Sequence, residues 1–370
     1  MRNLTKKIGY GVGMIAAMSA AGAKAQPPPP DLNAMTQGAI VKSLPLIQSS
    51  AATFASKMKC ISCHNHSLPQ MTVGLARERG FTADVKQANT VDASVYGLFA
   101  HAKDLMQAAT VSKEADKQLD FMLVDPAPSM GYVMAGMEGS RQKPDAVTGL
   151  MAQYIARKQG ENGAWPVLTA RPPMEASEFA STALAVRALK RYGTDNIDTQ
   201  TRIAKARKWL LSATPRTTED KVFRLFGLSW AEAEYADVMK AREDLLSEQK
   251  DDGGWAQLPN MPSDPYATGE ALVALHEAGQ MAATEGAYQR GRFFLLTTQA
   301  ADGSWFVPKR AVTVQTYVEA GYPHQNAQFI SLAGACWATM ALMYAVDAPP
   351  TVKPTARTPV GAAKKATGSR

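Results

Sequence analysis

Three times along this 370-residue chain a helical run ends in glutamine, passes through a glycine-containing turn and reaches a tryptophan. The copies are Gln159 with Gly163 and Trp165, Gln249 with Gly253 and Trp255, and Gln299 with Gly303 and Trp305. Trp209-Leu210-Leu211 and Phe121-Met122-Leu123 look like degenerate copies that lack the turn. A unit that recurs in this way cannot bury its apolar face alone, so the chain must stack its copies against one another.

A second unit follows each turn. Ser177-Glu178-Phe179-Ala180-Ser181-Thr182 leads into an apolar run that stops at Gly193, and Ser263-Asp264-Pro265-Tyr266-Ala267-Thr268 leads into one that stops at Gly279. The two align without a gap over seventeen positions. Ser, Asp and Glu suit a helix start and Gly the residue past its end. Apolar residues in runs such as 184–189 and 271–275 recur near the 3.6-residue period, and no sustained alternation of period two competes with them. The fold class is therefore all-α, a chain of helical hairpins.

These turns resemble the QW repeats of the terpenoid cyclases, and the paired helices resemble the (α/α)6 toroid of squalene cyclases and protein prenyltransferase β subunits. The resemblance spans most of residues 40–346. It implies outer helices that end in the Gln/Trp turn, inner helices that line a central cavity, and a last hairpin that meets the first. About six hairpins of ~50 residues account for the body. Gln159, Gln249, Gln299 and their three tryptophans then have an architectural role, because buried polar groups must be satisfied where they sit.

The resemblance is weaker for reaction chemistry. Squalene cyclase-like enzymes carry their proton donor in a D-x-D-D-T-A stretch, matched here by Asp264-Pro265-Tyr266-Ala267-Thr268-Gly269. Tyr266 and Ala267 stand where the second and third acids belong, and a phenol is a poor proton donor to an alkene. Prenyltransferases hold zinc through Asp, Cys and His, but Cys336 has no Asp near it and reads as a core residue. Asp264 and Glu178 are the candidate catalytic acids, with Glu270 nearby; as helix-start carboxylates all three also have an ordinary capping role.

One motif lies outside the repeat. Cys60-Ile61-Ser62-Cys63-His64 holds two of the three cysteines and one of the five histidines. Three readings stand. In the first, Cys60 and Cys63 carry a c-type haem with His64 as proximal ligand and His324, Met71 or His66 as distal ligand, which implies a redox role and a redox protein partner. In the second, Cys60, Cys63, His64 or His66, and His324 bind zinc. In the third, the cysteines form a small disulfide. The stretch from Cys60 through Leu68-Pro69 to the helix ending at Gly80, with the later Gly321-Tyr322-Pro323-His324, is similar to exported bacterial toroid proteins.

Aligning Gly80 with Gly193 and Gly279 sets Asn65 opposite Glu178 and Asp264, so the motif opens the first inner helix at the cavity mouth. Ring closure then predicts that His324, ahead of the last apolar helix, lies beside His64. His101 and His276 read as packed or surface residues, and Met122, Met130, Met134 and Met137 as core filling.

Residues 1–25 read as a signal peptide, with Arg2, Lys6 and Lys7 before an apolar run and Ala23-Lys24-Ala25 as the cleavage site. Export to the periplasm or medium is expected. A Pro-rich leader (26–39), the toroid (40–346) and a basic tail (347–370) that cannot bury a core follow. The formal net charge of +7 comes from the two ends; without the nine basic residues of the signal and tail the body carries −2. That excludes a nucleic-acid footprint. No run of ~20 apolar residues suggests a transmembrane segment. The expected partner is an apolar small molecule in the central cavity: beside the redox reading stand an enzyme acting on an isoprenoid-like substrate with Asp264 or Glu178 as acid, and a non-catalytic module whose cavity or rim binds a lipid or another protein.

Overall fold

The computed structural model of the protein describes residues 31–123, 125–312 and 317–348. The signal-peptide reading and all but the first two residues of the basic tail lie outside the described residues. Helix α1 (Leu32–Lys57) pairs with α2 (Leu68–Glu78). The second hairpin joins α3 (Val85–His101), continued by the short α4 (Lys103–Ala108) and α5 (Lys113–Asp120), to α6 (Pro126–Gly139). Next come α7 (Ala146–Arg157) with α8 (Glu178–Tyr192), and α9 (Ile197–Ser212) with α10 (Thr218–Trp230). The last pairs are α11 (Tyr235–Leu246) with α12 (Pro265–Glu277), and α13 (Gly286–Thr298) with α14 (Gln328–Tyr344). Among the described residues there is no strand, only an isolated bridge between Arg171 and Glu175.

The second helix of each pair packs on the next, in the order α2, α6, α8, α10, α12, α14, and α14 returns to α2. This is a closed ring of six inner helices with the other helices outside it. The helical body begins at Leu32, ahead of the boundary at 40 drawn from the repeats, and α1 supplies the outer helix that the last hairpin meets.

The Gln/Trp turns hold the outer layer. Each glutamine amide donates to its own turn and to the next outer helix: Gln159 to Gly163 O and Arg202 O, Gln249 to Gly253 O and Ala287 O, and Gln299 to Gly303 O and Ala39 O. Each tryptophan indole donates to the helix before it, at Ile155, Leu245 and Leu295. Gly163, Gly253 and Gly303 have positive φ, and a Cβ on any of them would stand within 2.7 Å of the next outer helix. Both the conformation and the close approach require glycine.

The inner helices touch through small residues. A Cβ on Gly269 of α12 would lie 2.5 Å from the backbone nitrogen of Ala338 in α14. Among the described residues, this close approach and large side chains fill much of the axis where a central cavity is expected. Tyr132, Phe223, Phe226 and Trp337 converge there, leaving a void of about 10 Å³ to which all six inner helices contribute. Met130, Met134 and Met137 are core residues, as the spacing predicts, whereas Met122 is exposed. The segment Gln325–Tyr344 is long and apolar enough to cross a membrane by length and composition alone, and 83% of its most apolar window is buried within the ring, as in a core helix.

Candidate functional site

The N-terminal ends of the inner helices gather at one face, and a cleft of about 560 Å³ opens there. Its walls come from the segment before α2, the loop before α8 and the chain on either side of α14's start. Phe54, Met58, Met174, Phe329 and Ile330 give apolar surface, while Arg171, Lys309 and Arg310 bring cationic side chains and Glu175 an acid.

The cysteine motif is where the repeat alignment puts it. Residues Cys63–Ser67 form one π-helical turn that runs into α2. Ser62 caps it, accepting from the Asn65 backbone nitrogen at 3.1 Å. Such wide turns are rare and often mark functional sites. The turn separates the two thiols: Cys60 is half-buried and lines the cleft, whereas Cys63 is buried and donates its S–H to Glu175 Oε1 at 3.2 Å. Burial pushes the Cys63 thiol up to about 12. Glu175 is also ion-paired with Arg171, so thiol, carboxylate and guanidinium form one chain at the cleft wall.

His64 lines the cleft with its ring 6.3 Å from that of Phe329. Burial, with the nearby Arg171 charge, lowers its pKa to about 4. His66 points away into the core, edge-on to Phe54, and its Nδ1 accepts from the Ser62 backbone nitrogen. Asn65 is 1% exposed, and its Oδ1 has no hydrogen-bond partner although the residue lines the cleft.

His324 does not line the cleft with His64. Its backbone is left-handed, with φ of 83°, and the ring is turned onto Ser304 Oγ at 3.0 Å, between Phe306 and Tyr322. Met71 lies on the plugged axis and not in the cleft. Among the described residues no group of three or more His, Cys, Asp or Glu could hold a metal ion, so the four-ligand zinc set is not assembled. The residues do not fit a c-type haem either. Thioether attachment needs both thiols on one haem edge; here Cys63 is turned into the wall against Glu175, and none of the three distal candidates faces His64 across the cleft. Cys60 and Cys63 are not bonded to each other.

The two candidate acids part company. Glu178 is exposed at the first residue of α8, outside the cleft. Asp264 is 5% exposed, and its Oδ1 accepts from the backbone nitrogens of Tyr266 and Ala267. It caps α12, and desolvation raises its pKa to about 6 against those hydrogen bonds. It does not line the cleft. Cys336, His101 and His276 are structural, as their sequence context predicts: Cys336 is sealed in α14, His101 bonds its own helix at Gly97 O, and His276 bonds Met281 O.

Below the mouth lies a group that sequence reasoning missed in part. Glu219 of α10 and Glu270 of α12 are 3% and 1% exposed and lie within hydrogen-bonding reach of each other. Tyr266 donates to Glu219 Oε2 at 2.9 Å and Tyr132 to Oε1 at 3.4 Å. As a carboxylate, Glu270 would have no donor to either oxygen. Desolvation raises both carboxyls, with the Asp220 charge adding to it at Glu219 and the Glu219 charge at Glu270, and a proton held between them would supply the missing donor. Glu270 stood among the helix-start acids, but Glu219 is hidden within the Thr217–Asp220 capping box, where an acid looks routine. Arg171, Glu175 and Asp125 carry no motif. Asp125, fully buried at the head of α6, accepts from the Leu168 and Thr169 backbone nitrogens and fixes the loop that leads to Arg171.

No family model and no curated protein matches the chain. Among solved structures, it is similar to an arginine variant of the type II terpene cyclase MstE from Scytonema in complex with geranylgeranyl dihydroxybenzoate. That match has 12% identity and a TM-score of 0.48, and covers 83% of this chain and 98% of that one. It is also similar to a protein from Actinoplanes (13% identity, TM-score 0.46, 75% and 89% covered) and to apo MstE (10% identity, TM-score 0.46, 84% and 99% covered).

Proposed function

We propose that the protein binds a small molecule with a large apolar part and an anionic group in the cleft at the mouth of the ring. The cleft itself carries this reading. Its volume of about 560 Å³ falls in the range of small-molecule sites, ~300–1,000 Å³. An apolar body would lie against Phe54, Met58, Phe329 and Ile330. The anionic end would meet Arg310 and Arg171, which line the cleft with Asn65. Binding, with the axis closed below, accounts for a pocket confined to the mouth.

The test uses anilinonaphthalene sulfonate, which has an apolar ring system and one negative charge, and its displacement by dodecanoate or dodecanol. Saturable fluorescence with one site is expected, displaced at least ten-fold better by the carboxylate. Phe329→Glu should abolish binding and Arg310→Gln should remove the preference for the anion. Equal binding by wild type and Phe329→Glu would overturn the reading.

A further inference from the structure

We propose that Cys60 and Cys63 form a redox-active dithiol in which Cys60 attacks, Cys63 resolves and Glu175 takes the resolving thiol's proton. The proposal goes beyond ligand binding and does not depend on what the cleft holds.

Three observations carry it. Only Ile61 and Ser62 separate the cysteines, both of which are free thiols. They occupy unlike environments: Cys60 lines the cleft, on the non-helical stretch between α1 and the π turn, whereas Cys63 is 4% exposed behind it. The buried thiol is not idle, because it donates to Glu175 Oε1 at 3.2 Å, and the Arg171 ion pair holds that carboxylate in place. An accessible attacking thiol beside a shielded partner with its own base is the division of labour that thiol–disulfide exchange requires.

The oxidant is a disulfide, either low-molecular-weight or on another protein. The Cys60 thiolate attacks one of its sulfurs, forming a mixed disulfide and releasing one thiol. Cys63 Sγ then attacks the Cys60 sulfur as Glu175 accepts the Cys63 proton; the second thiol leaves and takes up a proton. Two protein thiols are oxidised and one disulfide is reduced to two thiols. The exposed stretch around Lys59 carries no helix, so Cys60 has the freedom to swing from the cleft wall toward Cys63.

The experiment treats the reduced full-length protein with oxidised glutathione and follows intact mass under acid quench. Wild type should end two hydrogens lighter with no adduct. Cys63→Ser, which keeps a hydroxyl donor for Glu175, should stop with one glutathione on Cys60, and Cys60→Ser should not react. Glu175→Gln should lengthen the life of the mixed disulfide at least about ten-fold, the lower end of what a positioned base contributes. If Glu175→Gln fails to fold, Glu175→Asp, which keeps a charge for Arg171 while drawing the carboxylate back from Sγ, takes its place. A stable adduct on wild type, no reaction at Cys60, or covalent haem on both thiols would overturn the dithiol. Resolution at the wild-type rate in the Glu175 variants would overturn the role of Glu175.

Discussion

The side-chain amide of Gln299 donates to the carbonyl oxygen of Ala39 at 3.0 Å, joining the last Gln/Trp turn to the first outer helix across 260 residues of sequence. The other two glutamines make the same bond to helices about forty residues further on, at Arg202 and Ala287. The repeat therefore uses one local device for two purposes, stacking neighbours along the chain and closing it into a ring. Arg292 reinforces the closure by donating to Thr36 Oγ1 and Leu32 O, and Ser43 pairs with Thr339.

Gln299→Ala should accordingly cost about 1–3 kcal/mol, the penalty for leaving buried carbonyls without a donor. The loss concentrates at the seam, so urea unfolding should show a lower midpoint, and hydrogen exchange should show faster opening of α1 and α13 than of α9 and α10. Equal exchange in all four helices would mean that this bond does not hold the seam.

The Glu219 and Glu270 pair makes stability fall as pH rises. Both folded-state carboxyls are raised, Glu219 by burial and the Asp220 charge and Glu270 by burial and Glu219, whereas in the unfolded chain each titrates near 4.5. Above that value the unfolded state binds fewer protons than the folded one, so the free energy of unfolding decreases with pH. The loss begins near pH 4.5 and continues until the pair has given up its second proton. Glu219→Gln can keep the acceptor for Tyr266, the shorter of the two tyrosine bonds, at the expense of the 3.4 Å bond from Tyr132, and gives Glu270 a permanent donor. It should flatten the profile and stabilise the protein at pH 8 relative to wild type by ~1–3 kcal/mol, since a tenfold change in proton affinity corresponds to about 1.4 kcal/mol. Thermal melts from pH 4 to 9 measure both curves, and parallel curves would remove the pair as the cause.

The ring was legible because its determinants are local. A glutamine, a glycine with positive φ and a tryptophan recur at fixed spacing, and Gly80, Gly193 and Gly279 mark inner-helix ends, so the hairpins and the position of Cys60 to His64 followed from alignment. What fills the ring was not legible. Phe223 and Trp337 are apolar positions on helices whatever they face, and only the close approach permitted by Gly269 turns them into a plug. The direction of the His324 ring is set at the scale of one residue: a left-handed backbone at that position aims it at Ser304. The cleft's charged wall escaped notice because Arg171 and Glu175 lie in a loop between repeats and Glu175 meets Cys63 from 112 residues away.

His324→Ala should leave cleft binding of the sulfonate probe unchanged within two-fold, because its ring packs on Phe306 and Tyr322 outside the cleft. Stability should drop by about 1 kcal/mol from the lost Ser304 bond. A loss of probe affinity with an unchanged melting temperature would instead put His324 at the cleft.

The final expectation concerns the thiols in a cell that attaches haem. Thioether formation needs Cys63 Sγ at the surface of the cleft, and in the folded protein that atom is turned to Glu175, in a residue 4% exposed. Haem attachment would have to break this bond and leave the Glu175 and Arg171 pair reorganised. The protein expressed in the periplasm with haem-maturation machinery should therefore be colourless, with an intact mass lacking haem and two thiols titratable after reduction in addition to Cys336. Glu175→Ala frees the Cys63 side chain and tests whether the wall is what excludes haem. A c-type α band in wild type would show that the motif is captured before the ring closes around it.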